Sequence, residues 1–168
     1  MTTSSTMPST LPAFRAATAD DTAAIERLLV TAGLRTDGVG ALLTADARQF
    51  IVAETVGNNA ELVAVAGLEV CCENALLRSV AVRADWQRHG LGHQLIQRVV
   101  GEAEARGINA LYLLTMTAEH YFPRFGFETV SRDAVPPDIA STLEFQSACP
   151  ASATVMARQL AGALPSPS

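Results

Sequence analysis

The sequence predicts an α/β protein of the α+β kind, a mixed and mostly antiparallel twisted sheet of about seven strands flanked by about four helices. Three observations carry this reading. Segments 49–56, 61–71 and 75–83 are rich in β-branched and apolar residues and are separated by Gly57-Asn58-Asn59 and Glu73-Asn74, so they read as an antiparallel meander. The stretch Val80–Ile96 passes from an apolar run through Gln87-Arg88-His89-Gly90-Leu91-Gly92 into apolar residues at helical spacing, Leu91, Leu95, Ile96 and Val99, which is strand, glycine-bearing loop and helix. The compact apolar run Ala110–Thr115 follows that helix and is placed to lie parallel to the strand before it.

Taken in order, Pro12–Ala17 is a short strand, and Thr18-Ala19-Asp20-Asp21 reads as an N-cap with an acidic first turn. The helix it opens shows one apolar face, Ile25, Leu28, Leu29 and Leu34, and Gly33 stops it. Asp37–Thr44 reads as a second, shorter helix, and the long helix from Gly90 ends near Gly107. A short helix, Ala118–Phe125, leads to a strand over 126–130. An irregular excursion with Pro136, Pro137 and Pro150, holding one turn of helix, spans 133–152, and Ala153–Gln159 returns as the last strand. An exposed edge at that last strand would suit a homodimer. One domain is expected over residues 12–160, between a Ser-, Thr- and Pro-rich tail, 1–11, and a second tail, 161–168, both flexible.

Composition narrows the class. A chain of 168 residues with 49% hydrophobic and 17% charged residues fits one compact domain with a full core. A net charge of -5, with 12 scattered basic residues, argues against nucleic acid as a partner. No uncharged apolar run is long enough for a membrane span and the start has no signal-peptide pattern, so the expected location is the cytoplasm, without a membrane partner. Three cysteines, Cys71, Cys72 and Cys149, are an odd count that points to thiols rather than a disulfide framework, and no metal site is expected.

The loop from Gln87 to Gly92 has a physical use. The first turn of a helix leaves backbone N–H groups unpaired and carries partial positive charge, which suits a phosphate, and glycines let a ligand approach the backbone. An ordinary β-to-α turn is the alternative. The loop is not a Walker motif, since no Gly-Lys-Ser/Thr follows, nor a Gly-x-Gly-x-x-Gly fingerprint, since only two glycines stand at the turn.

Two motifs resemble the GNAT superfamily of acetyl-CoA-dependent N-acetyltransferases. Leu-Arg-Ser-Val-Ala-Val (residues 77–82) with the loop 87–92 is similar to that family's Gln/Arg-x-x-Gly-x-Gly/Ala pyrophosphate loop, and Tyr121-Phe122-Pro123-Arg124-Phe125-Gly126-Phe127 to its Tyr/Phe-x-x-x-Gly-Phe element. The resemblance implies a sheet splayed between its two central strands. The pantetheine arm of acetyl-CoA would lie there against backbone of Val80, Ala81 and Val82, and its diphosphate would meet the loop and helix start, Gln87, Arg88, His89, Gly90, Leu91, Gly92 and His93, with Phe122 at the aromatic motif position. A narrower resemblance lies in the C-terminal half, where residues 111–127 and the run from Ser131 to Ala153 look like the acetyltransferases of bacterial arsenic-resistance operons. Leu-Leu-Thr-x-Thr followed by x-His-Tyr-Phe is also similar to amino-acid N-acetyltransferases, including N-acetylglutamate synthases. Both relatives imply a small-molecule amine as substrate.

The family's chemistry is direct transfer from thioester to neutral amine, which calls for a proton acceptor, N–H groups at the carbonyl and, where present, an acid for the leaving thiolate. Glu69 and Glu73 lie nearest the central strands and His120 carries an imidazole, the side chain most often used as a general base, so these are the candidate bases, each with a solvated surface residue as its alternative. Many relatives carry Tyr where this chain has Phe122, and the neighbouring Tyr121 reads as core or cofactor-adjacent. Arg78 inside an apolar run needs a partner or a ligand, such as the carboxylate or oxyanion of the substrate, with Ser79 and Thr115 as hydroxyl donors beside it. Trivalent arsenic prefers thiolates, so the cysteines invite direct arsenic contact; small buried hydrophobes are the alternative. The expected activity is acetylation of an arsenic-containing amine or amino-acid analogue as detoxification. The alternatives are an amino-acid N-acetyltransferase of metabolism and a non-catalytic acyl-CoA-binding regulator.

Overall fold

The computed structural model describes residues 12–34, 36, 38–46, 49–57, 59–71, 73–87, 90–115, 118–142 and 153–160. Its strands are β1 (Ala13–Ala16), β2 (Phe50–Glu54), β3 (Leu62–Cys71), β4 (Asn74–Val82), β5 (Ala110–Thr115), β6 (Glu128–Thr129) and β7 (Thr154–Gln159). They make one seven-stranded sheet in the order β1-β2-β3-β4-β5-β7-β6. Neighbours run antiparallel except β4 and β5, which are parallel and are joined by the crossover helix α3 (Leu91–Ala105).

The other helices are α1 (Thr22–Thr31), α2 (Val39–Asp46) and the short α4 (Pro137–Ala140). Ahead of α1 a 3-10 turn, Ala19–Asp21, starts at the expected cap, where Asp21 Oδ2 accepts from Thr18 N at 2.8 Å. Arg15 ties this corner down, donating to Asp21 at 2.8 Å and to Glu54 of β2 at 3.1 Å, and the Arg15 hydrogen bond holds the Asp21 carboxyl below its ordinary range.

Three expectations are corrected. The last strand is not an edge: β7 lies between β5 and β6, which removes the edge-strand argument for a dimer there, and the sheet's free edges belong to β1 and β6. The helix expected over 118–125 is a turn followed by a 3-10 segment, Phe122–Phe125, and the strand expected over 126–130 pairs only at Glu128–Thr129. The single helical turn expected in the excursion is α4, preceded by a 3-10 turn at Arg132–Ala134; residues 143–152 lie outside the described residues, as do the tails expected over 1–11 and 161–168.

Each face of the sheet is covered for the reason its residues announce. On α3 the buried residues Leu91, Leu95, Ile96, Val99, Val100 and Ala103 recur at helical spacing and pack on Ala64, Ala66, Leu68, Leu77 and Leu111. The opposite face carries two separate clusters. Ile25, Leu28 and Leu29 of α1 with Val39 and Leu43 of α2 cover Phe50, Val52, Val65 and Ala81, while Val135 and Ile139 cover Leu76, Tyr112, Val155 and Ala157.

Gly67 of β3 permits the first of those clusters. A side-chain carbon built on it would stand 2.7 Å from the buried Phe50 ring and 3.2 Å from the Arg78 carbonyl. Gly67→Ala is expected to cost about 1–3 kcal/mol by overpacking, read as a lower urea midpoint. An unchanged midpoint would show that the ring has room to move.

Candidate active site

The sheet parts where the sequence implies a ligand. β4 pairs with β5 only at Asn74–Ala110, Ala75–Leu111 and Leu76–Tyr112, yet β4 continues to Val82 and β5 to Thr115. Beyond Leu76 the two strands diverge, and backbone on both sides of the gap is released from the ladder between them. A crevice at the carboxyl ends of parallel strands is where ligands lie in open α/β sheets.

A bulge in β4 shapes this gap. The pairing with β3 steps from Val65–Ala81 to Gly67–Arg78, so β4 carries one extra residue opposite Ala66. Ser79 takes φ +58°, a left-handed conformation that non-glycine residues rarely adopt. One extra residue flips the side-chain alternation: Leu76 faces the Val135–Ile139 cluster, and after the bulge Ala81 again faces that side, in the α1–α2 cluster. Strain of this kind clusters at sites that use it.

Arg78 and Glu69 meet at the point where the gap begins. Glu69 pairs across β3–β4 with Leu76, and Arg78 stands two residues further on the same face, between the two apolar clusters. The Arg78 Nη1 donates to Glu69 Oε1 at 3.1 Å and its Nε to Ser79 Oγ at 3.3 Å. The two side chains are not equally covered: Arg78 is 2% exposed and Glu69 17%. The guanidinium expected to meet substrate therefore stands behind the carboxylate, and the solvent-reaching end of the pair is Glu69.

Glu73 is set apart from this group. It precedes β4 at the closed end of the parallel pair, where its carboxylate accepts from Asn109 Nδ2 at 2.8 Å. At the ordinary strand rise it lies on the order of 15 Å from Arg78, too far to serve as base at the gap. Cys71, which ends β3, belongs to the same closed end, away from the gap; Cys72 and Cys149 lie outside the described residues. His120 is exposed in the turn after β5. Thr115 closes that turn, its Oγ1 accepting from Ala118 N at 2.8 Å.

The mouth of the gap is the start of α3. Gly90 holds the N-cap position at φ +75°, a conformation that costs a side-chain-bearing residue about 1–2 kcal/mol. Gly92 lies under Tyr121: a side-chain carbon there would stand 3.1 Å from the Tyr121 hydroxyl and 3.7 Å from Val82. Gln87 Nε2 donates to the Val82 carbonyl at 3.0 Å, securing the end of β4. Val80 and Val82 are half-buried and Ala81 is buried at this end. Arg88 and His89 lie outside the described residues.

Tyr121 and Phe122 exchange the places their motif suggests. Phe122 is buried in the α3-side core, edge-on to Phe127 with ring centroids 5.7 Å apart, so it packs rather than faces the mouth. Tyr121 stands half-buried over Gly92, edge-on to Phe125, with the Arg124 guanidinium 4.9 Å from its ring centre. The cause is local, since a 3-10 segment turns about 120° per residue and helix spacing does not apply. Burial pushes the Tyr121 phenol up, against a lesser lowering by Arg124, which keeps it protonated. His93, on the first turn of α3, rests 5.0 Å from the Phe125 ring.

Among the described residues no group of three or more His, Cys, Asp or Glu could hold a metal ion, and no helix is long and apolar enough to cross a membrane. A parted pair of parallel strands, closed at one end by an ion pair and open at the other on a glycine-bearing helix start, defines a fold that takes an extended, phosphate-bearing ligand. Residues 46–129 match the acetyltransferase (GNAT) domain, and the chain belongs to that family. The chain is also 34% identical over 107 residues, 62% of its length, to an amino-acid acetyltransferase of Pseudomonas syringae pv. tomato. It spans a quarter or less of the length of these curated relatives, 24% of this one.

Solved structures share the fold. A Mycobacterium tuberculosis protein solved in complex with CoA aligns with a TM-score of 0.73 at 24% identity, over 89% of this chain and 99% of that one. N-acetylglutamate synthase from Neisseria gonorrhoeae, complexed with CoA and N-acetyl-glutamate, also aligns with a TM-score of 0.73, at 22% identity over 91% of this chain and 36% of that one.

Proposed function

We propose that this chain is an acetyl-CoA-dependent N-acetyltransferase that acts on the amine of a small molecule, an arsenic-containing amine or amino-acid analogue. The observation that carries the reading is the β4–β5 gap running from the Arg78–Glu69 pair to the glycine-bearing start of α3. Acetyl-CoA, when bound, supplies an activated acetyl thioester. The residues present suit it, because a side chain at Gly92 would fill the space beneath Tyr121 and Gly90 leaves the helix start bare.

Each part of the site then has one task. Backbone N–H groups from Gly90 to His93 hold the diphosphate, with Arg88 adding charge, and Val80–Val82 hold the arm. The bulge at Ser79–Val80 leaves backbone out of the ladder, where an N–H polarises the thioester carbonyl. Glu69 takes the proton of the amine and Arg78 keeps its carboxylate in place. The Tyr121 hydroxyl gives a proton to the departing sulfur, the part its motif position would have left to Phe122.

The arsenical half of the reading is supported by the resemblance of residues 111–127 and 131–153 to the arsenic-resistance acetyltransferases. The Pseudomonas relatives favour a second reading, acetylation of an amino acid such as glutamate. Turnover of acetyl-CoA, followed as free thiol across glutamate, an arsenic-containing amino-acid analogue and an arylamine arsenical, is expected to favour an arsenical by at least tenfold in kcat/KM. A preference for glutamate selects the second reading. CoA binding without turnover of any amine leaves only an acyl-CoA-binding regulator.

A further inference from the structure

Ser79 stands in a backbone conformation that its own side chain makes costly. It is the single residue other than glycine at positive φ among the described residues. A Cβ in the left-handed region crowds the carbonyl that follows, a strain that glycine escapes. The position suits glycine better, so the hydroxyl is the feature to account for.

The conformation decides what that hydroxyl can reach. In a regular strand consecutive side chains point to opposite faces, and Ser79 could not touch its neighbour Arg78. The bulge breaks the alternation at this step, where Ser79 and Val80 together oppose Ala66. Ser79 Oγ thereby accepts from Arg78 Nε at 3.3 Å. Across the ladder Gly67 leaves the room this needs, since a side-chain carbon there would stand 3.2 Å from the Arg78 carbonyl.

Two bonds then orient the guanidinium, Nε to Ser79 and Nη1 to Glu69 Oε1 at 3.1 Å. The group is planar with its donors in a fixed fork, so holding two of its nitrogens sets both its plane and its direction. Arg78 is buried and Glu69 reaches solvent, so the direction of the fork sets where the Glu69 carboxylate stands.

We infer that Ser79 is a positioning residue for the transfer reaction: its hydroxyl, turned onto Arg78 by the left-handed backbone, aims the guanidinium that holds Glu69 ready for the amine. Ser79 then acts through Arg78 instead of donating to the substrate, the part its place in the sequence suggests. The inference rests on the function proposed above, in which Glu69 takes the proton.

The test places Ser79→Gly in the full chain, alone and combined with Glu69→Gln. Kinetics are followed with L-glutamate and p-arsanilate, CoA affinity by calorimetry, and stability by urea unfolding. Glycine removes the hydroxyl and keeps the left-handed backbone without strain, so the bulge survives. Ser79→Gly is expected to lower kcat at least tenfold while the amine KM and the CoA affinity stay within threefold of wild type. In the Glu69→Gln background the same change should move kcat by less than twofold, because no base is left to place.

A kcat within twofold of wild type in Ser79→Gly overturns the inference, and with a lowered urea midpoint it assigns the hydroxyl to the fold alone. A further tenfold loss in the Glu69→Gln background also overturns it, since the hydroxyl would then act on the substrate directly. So does a CoA affinity that falls in step with kcat, which would mean that the bulge itself was lost. Wild-type protein that turns over amine while Ser79→Gly is unchanged defeats this inference alone. Wild-type protein that neither binds CoA nor turns over an amine defeats it together with the proposed function.

Discussion

Gly92→Val is expected to weaken CoA binding about a hundredfold. The branched side chain would sit against Val82 and displace the Tyr121 hydroxyl, which lies 3.1 Å from the first added carbon. It would also stand over the first turn of α3, where the unpaired backbone N–H groups are proposed to meet the diphosphate. Hydrogen bonds to a charged group are worth about 1.5–3 kcal/mol each, so loss of one or two gives that change at tenfold per 1.4 kcal/mol. Gly101→Ala is the control, since it lies on the same helix with nothing near its added carbon; there CoA affinity should hold and stability rise by about 0.5–1 kcal/mol. Calorimetry with CoA decides the matter, and unchanged affinity in Gly92→Val would remove the helix start from the cofactor site.

The second large effect belongs to the Arg78–Glu69 pair. Glu69→Gln is expected to lower kcat by about 10²–10⁴ with the CoA affinity intact, the usual weight of a lost general base. Arg78→Met acts differently. It leaves Glu69 without the cation that neutralises it in a largely buried seam, and breaking such a pair costs about 3–5 kcal/mol. Combining the two changes should return much of that stability while activity stays low, because the unpaired charge is gone but the base is gone too. Denaturant unfolding and steady-state kinetics on the three proteins separate these outcomes. An Arg78→Met protein as stable as wild type would show that the pair contributes nothing to the fold, and a fully active Glu69→Gln would assign the proton to another group.

The difference between these two sites is also the difference between what was and was not legible. The glycine loop could be read because its signals are local: an apolar strand run, two glycines and helical spacing from Leu91 onward lie within one short stretch. The meander could be read for the same reason, since turn residues between β-rich segments imply antiparallel neighbours, and the observed order of β2, β3 and β4 follows. Arg78 and Glu69 were each conspicuous, one as a charge in an apolar run and the other as a strand-end carboxylate. Their pairing was not, because it depends on the β3–β4 register, and the bulge at Ser79 that changes this register has no signature in a run reading Arg-Ser-Val-Ala.

By itself the sequence determined the order of elements, the parallel pair flanking a long helix, and the glycine-bearing start of that helix. These follow from periodicity, turn chemistry and the unpaired amides of a first helical turn, which act over a few residues. Only the tertiary structure decided that Glu69 is the solvent-reaching end of its pair with Arg78, that Glu73 stands at the paired end of β4 and β5 away from the gap, that Tyr121 and not Phe122 faces Gly92, and that β7 lies inside the sheet. Each of these turns on register, on a 3-10 in place of an α-helical turn, or on the burial of one partner behind another. Such quantities are set by contacts between segments far apart in the chain, and a one-residue change in any of them moves a side chain to the other face of the sheet.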